Sequence, residues 1–109
     1  MTVTSIAAAS PRSARVEWAT ISDTTDPKEM RTGGCTALVN IRIVNSTDGL
    51  IRFAQGGSNV DASTDERAMD VLPGTERIFE FNADSTHADL VAADGATTGY
   101  ASAQLVNGV

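Results

Sequence analysis

Between Ala37 and Ala54 apolar and polar residues alternate with a period of two, interrupted by one short turn. Val39, Ile41 and Ile43 fall on one side of an extended chain and Asn40 and Arg42 on the other; after Asn45-Ser46-Thr47-Asp48-Gly49, Ile51 and Phe53 repeat the pattern around Arg52. Successive side chains of a strand point to opposite faces, so this spacing calls for one face in a core and the other in water. A helix cannot sort these residues, and a single sheet with one apolar face needs a second layer to cover it. Two such runs joined by a short Gly-containing turn predict a β-hairpin.

The same period marks other segments. Ala14, Val16 and Trp18 share a face; Met69 to Leu72 is a short strand; Arg77 to Phe81 places two phenylalanines together; Ala88 to Ala93 and Gly99 to Val106 follow. In the last of these, Ala101, Ala103 and Leu105 oppose Tyr100, Ser102 and Gln104. Pro73-Gly74 between strands favours a type II turn, because Pro sets φ at the first corner and Gly accepts positive φ at the second. No segment sustains a 3.6-residue period, and Ser63 to Met69 makes one helical turn at most. The reading is all-β, a single antiparallel β-sandwich or jelly-roll-like domain of about seven strands with an N-terminal arm. The arm spans residues 1–12 and the domain residues 13–109, a length suited to one core. That core is expected to hold Trp18, Val39, Ile41, Ile43, Ile51, Phe53, Phe79, Phe81 and Leu105.

Two polar connections, 22–36 and 55–68, are longer than ordinary loops, and such loops tend to be functional or ordered by a partner. The arm 1–12 carries Val3, Ile6 and Ala7 to Ala9 without a period. Arm and 22–36 loop are both expected to order against a neighbour.

Composition narrows the function. The chain has 14 acidic and 8 basic residues and a net charge of -6, with its basic residues scattered singly, so it presents nothing that could track a phosphate backbone. No nucleic acid is expected as a partner. No apolar run reaches bilayer length, so no membrane is expected either, and Met1 to Ser10 lacks the basic start of a signal peptide. Cys35 and His87 are the only residues of their kinds, which rules out an internal disulfide and suggests no zinc site. Ser85-Thr86-His87 with Asp89 is the sole nucleophile candidate, yet strand neighbours such as Thr86 and His87 should face opposite ways. Asn59, Asp61, Ser63, Asp65 and Asp70 have calcium-loop spacing, but Thr64 stands where Gly is needed and Asp70 where a bidentate Glu belongs. Solvated turn residues account for them equally well. Five aromatics, three of them phenylalanines assigned to the core, leave little to line a sugar cleft, and Gly56-Gly57-Ser58 lacks the Lys of a phosphate loop. No enzyme, no catalytic set, no cofactor and no metal ligand set is expected.

Val39 to Asp48, then Ile51-Arg52-Phe53-Ala54-Gln55-Gly56, then Val71-Leu72-Pro73-Gly74-Thr75 and Ile78-Phe79-Glu80-Phe81, together resemble small structural proteins of tailed bacteriophages. Ala92-Ala93, Gly95, Gly99 and the closing small-residue strand fit as well, while the long 22–36 loop departs from the pattern. The resemblance implies a β-sandwich or jelly-roll unit of the virion, of the capsid decoration (cement) type, made in the host cytoplasm and placed on the capsid surface. Its implied partners are the major capsid protein and further copies of itself, as a homotrimer. A tail or head–tail joining protein is the alternative within that class. A small carbohydrate-binding module, using Trp18 or Tyr100 on an exposed face, is the alternative outside it.

Overall fold

A computed structural model of the chain describes residues 11–19 and 21–107. Its strands are β1 (Val16–Ala19), β2 (Lys28–Glu29), β3 (Val39–Asn45), β4 (Ile51–Gly56), β5 (Met69–Val71), β6 (Thr75–Phe81), β7 (His87–Ala92) and β8 (Tyr100–Val106). They form two antiparallel four-stranded sheets, β1-β8-β3-β6 and β2-β7-β4-β5. The pairing is nested: β1 with β8, β2 with β7, β3 with β6 and β4 with β5. Successive nested pairs fall alternately in the two sheets, and the contacts β8–β3 and β7–β4 complete each one. This is one long antiparallel ribbon rolled into a sandwich, the jelly-roll arrangement.

The two inner faces meet in a single core. Trp18, Ile41, Ile43, Phe81, Ala101, Ala103 and Leu105 come from the first sheet, and Ile51, Phe53, Val71, Ala88, Leu90 and Ala92 from the second. Every expected core residue lies in or against this cluster. Phe79 differs in degree: it is half-buried, stacked on Phe53 at 5.0 Å between ring centroids and capped by the Arg77 guanidinium. It points inward beside the open side of the sandwich, where the outermost strands β5 and β6 do not pair with each other. Ile78, on the opposite face of β6, is 40% exposed.

The predicted hairpin is not one. β3 and β4 lie in different sheets, so the turn after Asn45 is a crossing between layers. The Asn45 side chain makes that crossing: buried, it donates from Nδ2 to the carbonyls of Gly49 and Val71, and its Oδ1 accepts from Thr47 N–H and Oγ1. Self-bonding of this kind curls the chain within two residues and ties it to β5. Pro73-Gly74 has the expected geometry, with Gly74 at φ 73°, but it too joins the two sheets. Gly99 sits at φ 106°, where a Cβ would stand 2.8 Å from the Ser46 carbonyl oxygen. Only glycine fits there.

The 22–36 segment is a second correction. Rather than waiting for a neighbour, it supplies the eighth strand, β2, and folds onto its own domain. Ile21 and Met30 are buried in the core, and Arg31 donates to the carbonyls of Ser85, Ala37, Asn82 and Ala83 while lying over the Phe81 ring. A polar composition concealed these anchors because each is a single residue among turn formers. Most of the expected arm lies outside the described residues. Pro11 bridges to Val106 beside β8, and Arg12 N–H donates to Leu105 C=O at 2.8 Å. Between 61 and 65 one turn is closed by Asp65 N–H on Asp61 C=O, and no helix follows.

Burial separates the two β6 phenylalanines. Phe81→Ala should cost about 3–5 kcal/mol, and Phe79→Ala about 1–3 because its ring keeps part of its exposure. Denaturant titration checks this through the midpoints; equal losses would mean that Phe79 is as enclosed as Phe81.

Candidate interaction surface

The residues singled out in the sequence for chemistry fall at separate places on the fold. His87 opens β7, and Thr86, standing just before the regular alternation begins, places its Oγ1 2.7 Å from His87 Nδ1. The two residues do meet, contrary to the strand argument. The third member is taken, however. Asp89 is fully buried, its Oδ1 accepting from Asp26 N–H at 2.8 Å and its Oδ2 from Ala62 N–H at 2.7 Å and the Thr25 hydroxyl. Two backbone donors and a hydroxyl satisfy this side chain, as a buried polar group requires. Both long loops are thereby tied to the outer face of β7.

Around that tie the 57–68 loop covers the second sheet. Ala54 and Val91, on the outer face, pack with Ala62, and Val60 and Ala68 close the margin. The calcium-loop residues inside this loop face different partners: Asp61 accepts from Ser63 N–H and Oγ, Asp65 pairs with Arg67, and Asp70 pairs with Arg52 across the β4–β5 ladder. The Ser63 hydroxyl, then its N–H, holds the Asp61 carboxyl below the usual carboxylate value. Cys35 is exposed in the turn that begins at Thr32. Trp18 is buried, donates from Nε1 to the Asp26 carbonyl and has Lys28 above its ring, so of the two proposed sugar platforms only Tyr100 stays accessible.

The outer face of the first sheet is the more open one, although Ser102 and Val106 on it are buried. The strand register brings Val44 beside Ser102 and Glu76, Arg42 beside Gln104 and Ile78, and Asn40 beside Val106 and Glu80. Tyr100, 49% exposed, stands at one end of this face, and Leu38, 84% exposed, precedes the other end of β3. An Arg42–Glu76 ion pair at 2.9 Å and, at the start of β1, an Arg15–Glu17 pair at 3.8 Å are its charge contacts among the described residues. Beside β6, a groove of about 370 Å³ opens between the sheets over Phe53, Phe79 and Met69, rimmed by Gln55, Glu80 and Asp84. Small residues, β-branched residues and flat polar groups of this kind suit contact with another protein surface better than capture of a small molecule. Sequence reasoning placed Tyr100 and Gln104 outward. It missed Asp89 and Gln55 as structural ties, since neither lies in a motif.

No family model and no characterised protein sequence matches the chain. Among solved structures, the fold is similar to that of a chain from the disulfide-linked pili of Bacillus endospore appendages. The TM-score is 0.56 at 13% identity, covering 93% of this chain and 90% of that one. Tobacco streak virus coat protein matches more weakly, with a TM-score of 0.47 at 16% identity over 92% of this chain and 85% of that one. The first likeness is one of fold.

Two outcomes follow from these contacts. Asp89→Ala strands the Asp26 and Ala62 N–H groups and should cost about 2–4 kcal/mol, with faster hydrogen exchange at both amides; unchanged exchange would show that the loops hold without the carboxylate. Ser63→Ala should raise the Asp61 carboxyl toward its ordinary value in an NMR titration. A depressed folded-state carboxyl stabilises above its unfolded pKa, and that contribution is lost as pH falls through the folded one. An unmoved titration would refute the hydroxyl as the cause.

Proposed function

We propose that this chain is a virion structural protein, a capsid decoration (cement) protein that binds the major capsid protein and acts as a homotrimer on the capsid surface. The observation that carries the reading is the contrast between its two faces. The outer face of β2-β7-β4-β5 is closed by the chain's own loops, whereas that of β1-β8-β3-β6 leaves Tyr100 and Ile78 exposed and Val44 half-buried. A lattice protein needs an extended complementary surface rather than a pocket, and several weak contacts made at once hold firmly. Excess negative charge keeps unassembled copies apart. Nothing in this reading requires catalysis, a cofactor or a metal.

The likeness to the Bacillus pilus chain supports a second reading within the same class, a subunit that polymerises into a fibre. A tail or head–tail joining role differs from decoration only in place and copy number. The carbohydrate-binding reading loses support from the burial of Trp18.

Purified chain mixed with heads that lack it should bind over the whole shell, and density maps of the particles should show trimers. Tyr100→Ala combined with Val44→Glu should lower occupancy by about tenfold or more with thermal unfolding almost unchanged. Density confined to one ring at the neck would select the joining role. Open-ended filaments, rather than closed rings, formed without heads would select the fibre, and full occupancy by the variant would reject this face.

A further inference from the structure

β6 is the last strand of its sheet, and no described strand pairs with its free side. An antiparallel ladder uses alternate residues on each side, so the N–H and C=O groups of β6 that do not bond β3 face outward. Gln55 identifies the set. Its Nε2 donates to Glu80 C=O at 2.9 Å and its Oε1 accepts from Asn82 N–H at 2.7 Å. A carboxamide offers the donor and acceptor of a peptide group, so Gln55 stands where one residue of a neighbouring strand would stand. By the same alternation the N–H and C=O of Ile78 and Glu76 face the open side. Beneath this edge lies the groove floored by Phe53, Phe79 and Met69, because β5 pairs with β4 only over Ile51 to Phe53. An added strand would find a ladder for its backbone and an apolar floor for alternate side chains.

We propose that this edge receives the N-terminal segment, residues 1–10, of a second copy. Two β6 edges cannot serve each other well: pairing about Ile78 sets Glu76 opposite the partner's Glu80, a like-charge contact that destabilises a sheet. The rim carries Glu80, Asp65 and Asp84 beside Arg67, so it favours a strand without acidic side chains. Residues 1–10 have no charged side chain, are rich in Thr, Val and Ile over positions 2–6, and turn small at Ala7 to Ala9. Ten extended residues reach about 33 Å, while pairing along Glu76 to Glu80 takes about 17 Å. The segment is rooted at Pro11, beside Val106, and the register runs from there through Asn40 to Glu80. To reach the open side of its own β6 it would first have to span β8, β3 and β6, roughly 19 Å at about 4.8 Å per strand, which leaves about four residues to pair. Straight extension toward a neighbour is the simpler path. Arm into edge is a head-to-tail contact, which closes into a ring when the rotation between copies permits.

This inference does not rest on the capsid reading and is tested on the purified full-length chain alone. Sedimentation should show concentration-dependent oligomers. Ile78→Pro removes an N–H that β3 does not use, a change tolerated on edge strands, and Ile6→Asp brings a negative charge to the acidic rim. Each variant should weaken association by about tenfold or more while leaving the unfolding midpoint nearly unchanged. Mixed in equal amounts, the first variant still has a working arm and the second a working edge, so together they should form a dimer that grows no further. A chain that stays monomeric at every concentration would overturn the proposal, as would variants that associate like the parent or a mixture that forms no dimer.

Discussion

One buried acidic side chain sets the terms for much of this molecule. Asp89 lies on the outer face of β7, where a buried polar group is tolerated only if its oxygens are filled by well-placed donors. Those donors come from Asp26 and Thr25 on one long loop and from Ala62 on the other. Satisfying a single side chain therefore orders two segments that look like loose polar connections. With the loops held, Val91 and Ala54 gain cover, β7 is buried on both faces, and β2 is brought into register beside it.

The second constraint is the manner in which the chain changes layers. In a nested ribbon the tight turns must carry it from one sheet to the other. Asn45 does this with a buried amide that bonds its own turn and the end of β5, and Gly99 admits the Ser46 carbonyl where any Cβ would collide. The only sequential neighbours that pair, β4 and β5, are joined by the long 57–68 loop rather than by a tight turn. Short connections here cross the sandwich, and a long one closes a hairpin.

These internal commitments explain the asymmetry of the surface. One sheet spends both long loops covering itself, while the other keeps Tyr100 and Ile78 exposed and an edge strand whose ladder is answered, among the described residues, by Gln55 at one end. Unpaired edges are hazards that proteins usually blunt, and here Glu76 and Glu80 discourage pairing of the edge with itself. The edge is thus guarded against its like and left open to a strand of different charge.

The sequence alone determined the fold class, because period-two alternation in Val39 to Phe53 and in Arg77 to Phe81 allows no other way to bury those side chains. It determined the core for the same reason: alternation sorts Ile41, Ile43, Phe53 and Phe81 inward whatever their strands pair with. It also determined the type II corner at Pro73-Gly74, which is a matter of local φ. Tertiary structure alone decided which strands became neighbours. Hairpin and layer crossing share the same short-range signals, and the choice at Asn45 depends on the Val71 carbonyl, 26 positions away. The same holds for Asp89, Gln55 and the 22–36 segment, whose partners are distant in the chain and whose residue types are those of ordinary polar surface. Long-range pairing has no period to read, since it is set by which donors and acceptors arrive together once the core has closed.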